Sequence, residues 1–259
     1  MSVPSVRMAT PRERPPSHRS RATRGRGLLA AVADLLVEPL EPVAPAGEQL
    51  DQGWTELAQP AFAVVGLAPR CGTTMVARAL AAELALRDRD GVAIVSADTV
   101  AGGGIPLGTP AAGRLGRAVQ RSLPAQTRAV GRLCLTAAGQ DHARLVDAAR
   151  DLAPLVLDVS DPSQTAIAAS LVDAVVLVGS PSAEPSLAAV LSESLGRIGP
   201  EPVVALNRDR DGEARWEGRC ALQLPESRMG AQLALAGREA RGDLGRAVAR
   251  LADLLAGAR

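Results

Sequence analysis

AVVGLAPRCGTTMVARALAAELA, residues 63–85, is the stretch of sequence that decides the fold. It begins with β-branched residues, continues through a loop that contains Gly66 and Gly72, and ends in an Ala- and Leu-rich run with helical spacing. A strand, a glycine-containing loop and a helix in this order direct backbone N–H groups toward a phosphate. The segment therefore predicts a phosphate-binding loop at the end of a buried strand.

The loop departs from the common phosphate-binding pattern at its charged position. That pattern is G-x-x-x-x-G-K-[ST], in which the lysine neutralises phosphate charge and the hydroxyl binds magnesium. Gly72 and Thr74 stand at the sixth and eighth places, whereas Leu67 and Thr73 replace the first glycine and the lysine. The chain has 29 Lys and Arg residues, all of them Arg, so Arg70 is the one cation within this loop.

Apolar runs alternate with helical periodicity along the rest of the chain. Strands are predicted at 62–66, 92–96, 132–136, 154–159, 174–178, 202–206 and 219–224, and helices at 74–86, 184–197, 228–238 and 242–257. Continuous apolar strands between helices are typical of a parallel sheet that is covered on both faces. The pattern predicts a doubly wound α/β fold with about seven strands, whose ligands bind at the carboxyl ends of the strands.

Composition divides the chain into three parts. Residues 1–27 hold seven Arg against the single acid Glu13, a net charge of +6, and the remaining 22 Arg and 27 acids give −5. With few large apolar side chains, we expect 1–27 to be a disordered tail that could contact nucleic acid or an anionic membrane. Residues 28–60 suggest a short helix and a Pro- and acid-rich linker, and 61–259 the packed domain.

Several functional classes are disfavoured by composition. One Phe, two Trp and no Tyr leave too few aromatic rings for a base-stacking nucleic-acid surface. Cys71, Cys134 and Cys220 are an odd, widely spaced set, which argues against a disulfide framework or a zinc site. No apolar run reaches the length of a membrane span, and we expect a cytoplasmic protein. His142 is expected on a helix surface.

The 63–85 segment resembles the MinD/ParA group of P-loop ATPases, whose loop reads KGGxGKTT before a helix of the form xAxxLAxxLA. The helix pattern is reproduced by Ala77, Leu80, Ala81, Leu84 and Ala85. In this register Thr73 and Ala68 stand at the group's two lysine places, and Pro69 and Arg70 replace its two glycines. Loops without the lysine also occur in the CpaE or TadZ branch of the group, which positions pili and septa.

Further segments resemble the group in the same order along the chain, so that the resemblance covers roughly residues 61–257. They are IVSAD (94–98), LCLTAAG (133–139), LVLDVSDP (155–162), VVLVGSPSAEPSLAAV (175–190), VVALNRD (203–209) and LQLPES (222–227). The resemblance implies a three-layer α/β/α P-loop NTPase fold. It also implies a homodimer that encloses ATP and magnesium, and a role in partition, cell division, or a pilus or secretion apparatus.

The resemblance also implies a set of site residues. Nucleotide contacts would come from Arg70, Cys71, Gly72, Thr73, Thr74, Asn207 and Pro225, and magnesium would be held by Thr74, Asp98 and Asp158. Simpler interpretations exist for three of them. Asp158 could accept hydrogen bonds from the next turn, Asn207 could be a turn residue, and Pro225 could be structural. No catalytic residue is assigned.

Three functions remain open at this stage. The first is a regulatory or positioning protein of the MinD/ParA type with ATP binding retained or vestigial and with weak or absent hydrolysis. The second is an active ATPase in which Arg70 replaces the lysine, since a guanidinium binds phosphate through two hydrogen bonds. The third is a nucleotide-independent scaffold that acts through the basic tail. A cysteine phosphatase is disfavoured, because Arg78 follows Cys71 one residue too late for a C-x5-R loop.

Overall fold

A computed structural model describes residues 59–88, 90–97, 127–137, 142–209 and 214–257, together with Gly116 and Arg121. The predicted tail, most of the predicted linker and the candidate magnesium ligand Asp98 lie outside the described residues. In the described part of the chain, no helix combines the length and the apolar character needed to cross a membrane.

Eight strands among the described residues form one sheet. They are β1 Ala61–Gly66, β2 Ala93–Ala97, β3 Arg128–Val130, β4 Leu133–Ala137, β5 Leu155–Val159, β6 Ala174–Gly179, β7 Val203–Asp209 and β8 Leu222–Pro225. Their order across the sheet is β3-β4-β2-β5-β1-β6-β7-β8. Every neighbouring pair is parallel except β3 and β4, which form an antiparallel pair at one edge.

Six α-helices are described. They are α1 Thr73–Arg87, α2 His142–Ala149, α3 Thr165–Ser170, α4 Pro185–Gly196, α5 Arg228–Leu235 and α6 Gly242–Gly257. Short 3-10 turns at Pro162–Gln164 and Ala214–Trp216 lie in two of the connections. The long helices α1 and α6 begin within one residue of the predicted positions, because their apolar residues recur at clear helical spacing.

Alternating side chains of the strands build two cores, one on each face of the sheet. Val64, Val156 and Val176 pack under α1, α5 and α6. Ala63, Leu157 and Leu177 face the opposite way, against α2, α3 and α4. Since β1, β5 and β6 are buried on both faces, their sequences must be apolar throughout, which is why the sequence pattern located them.

The three-layer, mostly parallel fold predicted from the sequence is confirmed, with differences at the periphery. The strand β3 was not predicted, because three residues at an exposed edge carry too little pattern. The last strand begins at Leu222 instead of 219 and ends at Pro225. His142 is buried at 1% exposure, so the expectation of a surface position was wrong. It starts α2, whose apolar side packs on the sheet.

Candidate functional site

The loop between β1 and α1 lies at the carboxyl edge of the sheet, beside the central strand β1. Its first residue, Leu67, is fully buried and donates its N–H to the carbonyl of Val178 at 2.9 Å, which holds the loop against β6. A cavity of about 480 Å³ opens in front of it. It is lined by residues 66, 68–70 and 72–74 of the loop and the start of α1, and by Val159, Ser160 and Pro162 at the end of β5 and after it.

The short side chains of Cys71 and Thr73 fill the inside of the loop. Cys71 is fully buried, and its Sγ lies 3.3 Å from the Thr73 hydroxyl. The Thr73 hydroxyl also lies against the backbone of Gly66, at a distance that leaves no room for a Cβ there. The Cys71 N–H donates to the carbonyl of Ala68 at 3.3 Å, so this amide is used within the loop. Thr73 therefore occupies space at the lysine place but supplies no charge.

The start of α1 provides the main feature suited to an anion. Gly72 precedes the helix with φ of 90°, and no side chain caps the N-terminal amides. The first N–H groups of a helix have no partner within the helix, and they form the positive end of its dipole. No acidic residue stands in the first turn, and Gly72, Thr73 and Thr74 all line the cavity. The arrangement can therefore donate hydrogen bonds to a phosphate.

Besides Arg208, whose guanidinium bonds to the loop backbone, two arginines lie near this site, and they differ in burial. Arg70 is exposed, lines the cavity and adopts a left-handed backbone conformation with φ of 66°. Arg78, on α1, is only 3% exposed and donates to the carbonyl of Leu235 at 3.1 Å. Burial lowers the pKa of Arg78, and the negative charge of Asp158 partly opposes that effect. Arg78 was not predicted as a site residue, because a cation on the buried side of a helix has no sequence signal.

Asp158 lies in β5, the neighbour of β1, in register with Val64. It is 2% exposed and points to the same face of the sheet as Val156, toward α1. Its charge thus acts on the buried guanidinium of Arg78. Among the described residues, no three His, Cys, Asp or Glu side chains come together as a metal site.

The end of β7 contacts the loop directly. The side-chain amide Nδ2 of Asn207, 1% exposed, donates to the carbonyl of Cys71 at 2.7 Å, and its Oδ1 is buried without a hydrogen-bond partner among the described residues. The guanidinium of Arg208 donates to the carbonyl of Arg70. Pro225 ends β8 beside β7, where it pairs with Asp209. The structure therefore places Asn207 at the loop and Pro225 one strand further away.

The residues that line the cavity suit a phosphate group, and Thr74 offers one oxygen that a magnesium ion could use. The open N-terminus of α1 and the Arg70 guanidinium offer donors to phosphate oxygens, and the Thr74 hydroxyl is an oxygen ligand of the kind that magnesium takes. Asn207 Oδ1 could accept from an amino group of a base only if the packing over it shifts, since the atom is buried. These contacts define a candidate nucleotide site that lacks the lysine by which phosphate charge is usually neutralised.

No protein-family model matches the chain, and no curated protein matches it in sequence. Solved structures do match. A ParA family ATPase from Chlorobium tepidum is 14% identical and has a TM-score of 0.52, with 75% of this chain and 99% of that chain covered. The chain has the fold of the MinD and ParA ATPases.

Two further matches belong to MinD. The MinC:MinD cell division complex of Aquifex aeolicus is 14% identical with a TM-score of 0.52, and the match covers 76% of this chain and 96% of that chain. MinD of Pyrococcus horikoshii, described in complex with Mg-ADP, is 16% identical with a TM-score of 0.50 and the same coverage. At such identities the comparison establishes the fold alone, and the roles of individual residues have to be argued from this chain.

Proposed function

We propose that this chain is a MinD/ParA-like regulatory or positioning protein that binds ATP and magnesium weakly and hydrolyses ATP slowly or not at all. The observation that carries the proposal is the cavity at the carboxyl edge of β1, where the uncapped start of α1 meets Arg70 and Thr74 without a lysine. In a doubly wound sheet this edge is where ligands bind. The likeness to a MinD described with Mg-ADP supports the choice of nucleotide.

Each candidate residue then has a defined task. The N–H groups of Gly72, Thr73 and Thr74 would bind phosphate oxygens, and the Arg70 guanidinium would supply the positive charge that the loop otherwise lacks. Thr74 would hold magnesium, with Asp98 and Asp158 on the metal side. Asn207 and Pro225 would face the base. Cys71 would contribute only to the shape of the loop, because its side chain is buried and its N–H and carbonyl are bonded to Ala68 and Asn207.

Slow ATP hydrolysis is expected because the loop lacks the positive charge of a lysine. Phosphoryl transfer depends on positioning and on electrostatic stabilisation of the developing charge. Arg70 is exposed and its guanidinium makes no hydrogen bond with another described residue, so this charge is less preorganised than a residue fixed within the loop. Loss of one preorganised electrostatic contact commonly lowers the rate by about 10² to 10³. The missing lysine therefore predicts ATP binding with little turnover.

The partners belong to the same proposal. We infer a cytoplasmic homodimer that acts with a protein of a division, partition, pilus or secretion apparatus. The complex of MinD with MinC supports a protein partner of this kind. Nucleic acid or an anionic membrane would be contacted by the basic tail.

The decisive test measures ATP binding and phosphate release by the full-length protein with magnesium. We expect measurable binding by calorimetry, weakened in Arg70→Ala, and phosphate release that stays about 10² to 10³ slower than in a lysine-bearing relative. Arg250→Ala, on the exposed side of α6, is the matched control and should bind as the unmodified protein does.

Two other results would each replace the proposal by a rival. Fast magnesium-dependent turnover that Arg70→Ala removes would establish an ATPase in which arginine takes the lysine's part. No nucleotide binding at all, with partner binding unchanged by ATP, would establish a nucleotide-independent scaffold.

A further inference from the structure

A second cavity lies at the edge of the sheet opposite to the loop. It has a volume of about 650 Å³ and is formed where β2 and β4 begin, beside the turn that follows α5. The strand β2 has five residues, so the two edges are separated by about 16 Å of strand. Its volume is within the range of small-molecule pockets. The two cavities share no lining residue.

Three arginines line this second cavity from three different segments. Arg132 precedes β4, Arg238 follows α5, and Arg241 stands directly before α6. None of the three forms an ion pair with another described residue, in contrast to Arg87 and Arg150, which do. Three guanidinium groups that have no ion-pair partner among the described residues thus surround one concave surface, and each would attract an anion bound there.

Two carboxylates, Asp90 and Glu239, line the same cavity. They lie too far from the arginines for ion pairs within the described residues, so the two kinds of charge remain separate around the cavity. A ligand that suits both has anionic groups for the arginines and hydroxyl or amino hydrogens for the carboxylates. Arginine binds phosphate oxygens through two parallel hydrogen bonds, which makes phosphate a better match than an isolated chloride or carboxylate.

The backbone that carries these side chains is held by direct contacts. The Arg132 N–H donates to the carbonyl of Gly237 at 2.9 Å, and the Arg132 carbonyl accepts from the N–H of Ala93 at 3.1 Å. Gly131 and Gly237 approach each other so closely that a Cβ on either would collide with the other segment's backbone. The cavity is therefore formed before a ligand arrives, which reduces the ordering cost of binding.

We propose that this cavity binds a phosphorylated small molecule with a diphosphate group and a hydroxyl-bearing portion, as in a nucleoside diphosphate. The diphosphate lies among Arg132, Arg238 and Arg241, and the hydroxyl-bearing portion faces Asp90 and Glu239. This site is separate from the loop and does not depend on nucleotide binding there.

The experiment titrates the full-length protein with inorganic pyrophosphate and with ADP, both without magnesium, and follows binding by calorimetry. Arg132→Gln and Arg238→Gln should each weaken both ligands about tenfold, as expected for the loss of a charge-assisted hydrogen bond. Both arginines are exposed, and the fixed contacts of Arg132 are made by its backbone, so the substitutions leave the fold intact. Arg250→Gln is the exposed control, and Arg70→Gln removes the cation of the loop. Arg250→Gln should leave the binding of both ligands unchanged, whereas Arg70→Gln weakens only ADP binding that belongs to the loop and thereby distinguishes the two sites. ADP should bind more tightly than pyrophosphate, and Asp90→Asn should reduce that difference.

Three outcomes would overturn the proposal. One is the absence of binding by either ligand. A second is binding that Arg70→Gln weakens while Arg132→Gln and Arg238→Gln do not, which assigns it to the loop and supports the function proposed there instead. The third concerns duplex DNA, whose binding is measured beside that of the two ligands. If DNA binds, only Arg132→Gln and Arg238→Gln weaken that binding, and both small ligands fail to bind, the surface is a nucleic-acid contact.

Discussion

Asn207 connects the end of β7 to the loop through one buried hydrogen bond, although 136 positions separate it from Cys71. The same side chain fills the space in which a Cβ on residue 72 would lie, and the φ of 90° at that position favours glycine independently. Asn207 therefore determines the shape of the loop, whether or not it also contacts a base.

We expect Asn207→Ala to destabilise the protein by about 1–3 kcal/mol, because the buried carbonyl of Cys71 loses its donor. Unfolding in urea, followed by circular dichroism, measures the change. Gln223→Ala is the matched control, since Gln223 is an exposed amide on the neighbouring strand β8 and should cost little. Equal unfolding midpoints for the two variants would show that the hydrogen bond does not hold the loop.

The buried thiol of Cys134 predicts that the free energy of unfolding depends on pH. Burial raises the pKa of its thiol from 9.0 to about 11, because the thiolate would lose its hydration in the core. The unfolded chain thus releases this proton at lower pH than the folded protein, and the stabilisation that is complete below pH 9 is lost as the pH rises toward 11. At one pKa unit per 1.36 kcal/mol, the loss amounts to roughly 2–3 kcal/mol.

The measurement for Cys134 is the free energy of unfolding between pH 8 and pH 11. Cys134→Ala should show a shallower decline than the unmodified protein, whereas Cys220→Ala, at a half-buried cysteine, should follow the unmodified protein. Parallel curves for all three proteins would contradict the assignment to Cys134.

At the scale of elements, the β3–β4 hairpin is joined to the end of α5 by backbone packing. Gly131 and Gly237 have φ of 58° and 66°, and the carbonyl of Val130 occupies the space where a Cβ on residue 237 would lie. The antiparallel edge strand β3 is short, so this contact and its pairing with β4 hold it in place.

We expect Gly237→Ala to destabilise the protein clearly more than Gly218→Ala. Both positions have nearly the same positive φ, 66° and 68°, so both substitutions carry a backbone strain of about 1 kcal/mol or more. Only at Gly237 does the added methyl group also meet another segment, since nothing lies within 4 Å at Gly218. Thermal unfolding compares the stability of the two variants. Equal losses of stability would show that the hairpin accommodates the added methyl group without a further loss of free energy.

The molecule as a whole combines a basic N-terminal segment, residues 1–27, with an acidic segment, residues 28–60, and a packed part that is nearly neutral. The seven arginines of residues 1–27 lie outside the described residues, and the packed part begins where Gln59 donates to the carbonyl of Arg150 and β1 follows. Attraction between such a segment and a polyanion depends on counterion release and therefore on salt.

We expect full-length protein to bind duplex DNA or anionic vesicles at about 50 mM salt and to lose up to about 10³-fold in affinity at about 200 mM. A variant that lacks residues 1–27 should lose this binding at both salt concentrations. Fluorescence anisotropy with labelled DNA and co-sedimentation with vesicles provide the two measurements. If the shortened protein binds as well as the full chain, the basic segment is not the contact.

The sequence by itself determined the fold class and the position of the loop. Central strands such as β5 and β6 are buried on both faces, so they are continuous apolar runs that local pattern detects. The loop follows β1 in the chain, and the carboxyl ends of parallel strands meet at one edge, so its place in the fold followed from order alone. The absence of lysine could also be seen directly in the sequence.

Only the tertiary structure decided how the loop is held and which charges surround it. The partners of Asn207, the burial of Arg78 against the end of α5, and the second cavity at the amino edge all join residues that are distant in the chain. Local periodicity reports only whether a residue faces a core, and it carries no information on which distant side chain lies opposite. For this reason β3 was not predicted, because three residues are too short for a pattern. The surface position expected for His142 was wrong for the same reason, since the packing of α2 buries this polar residue.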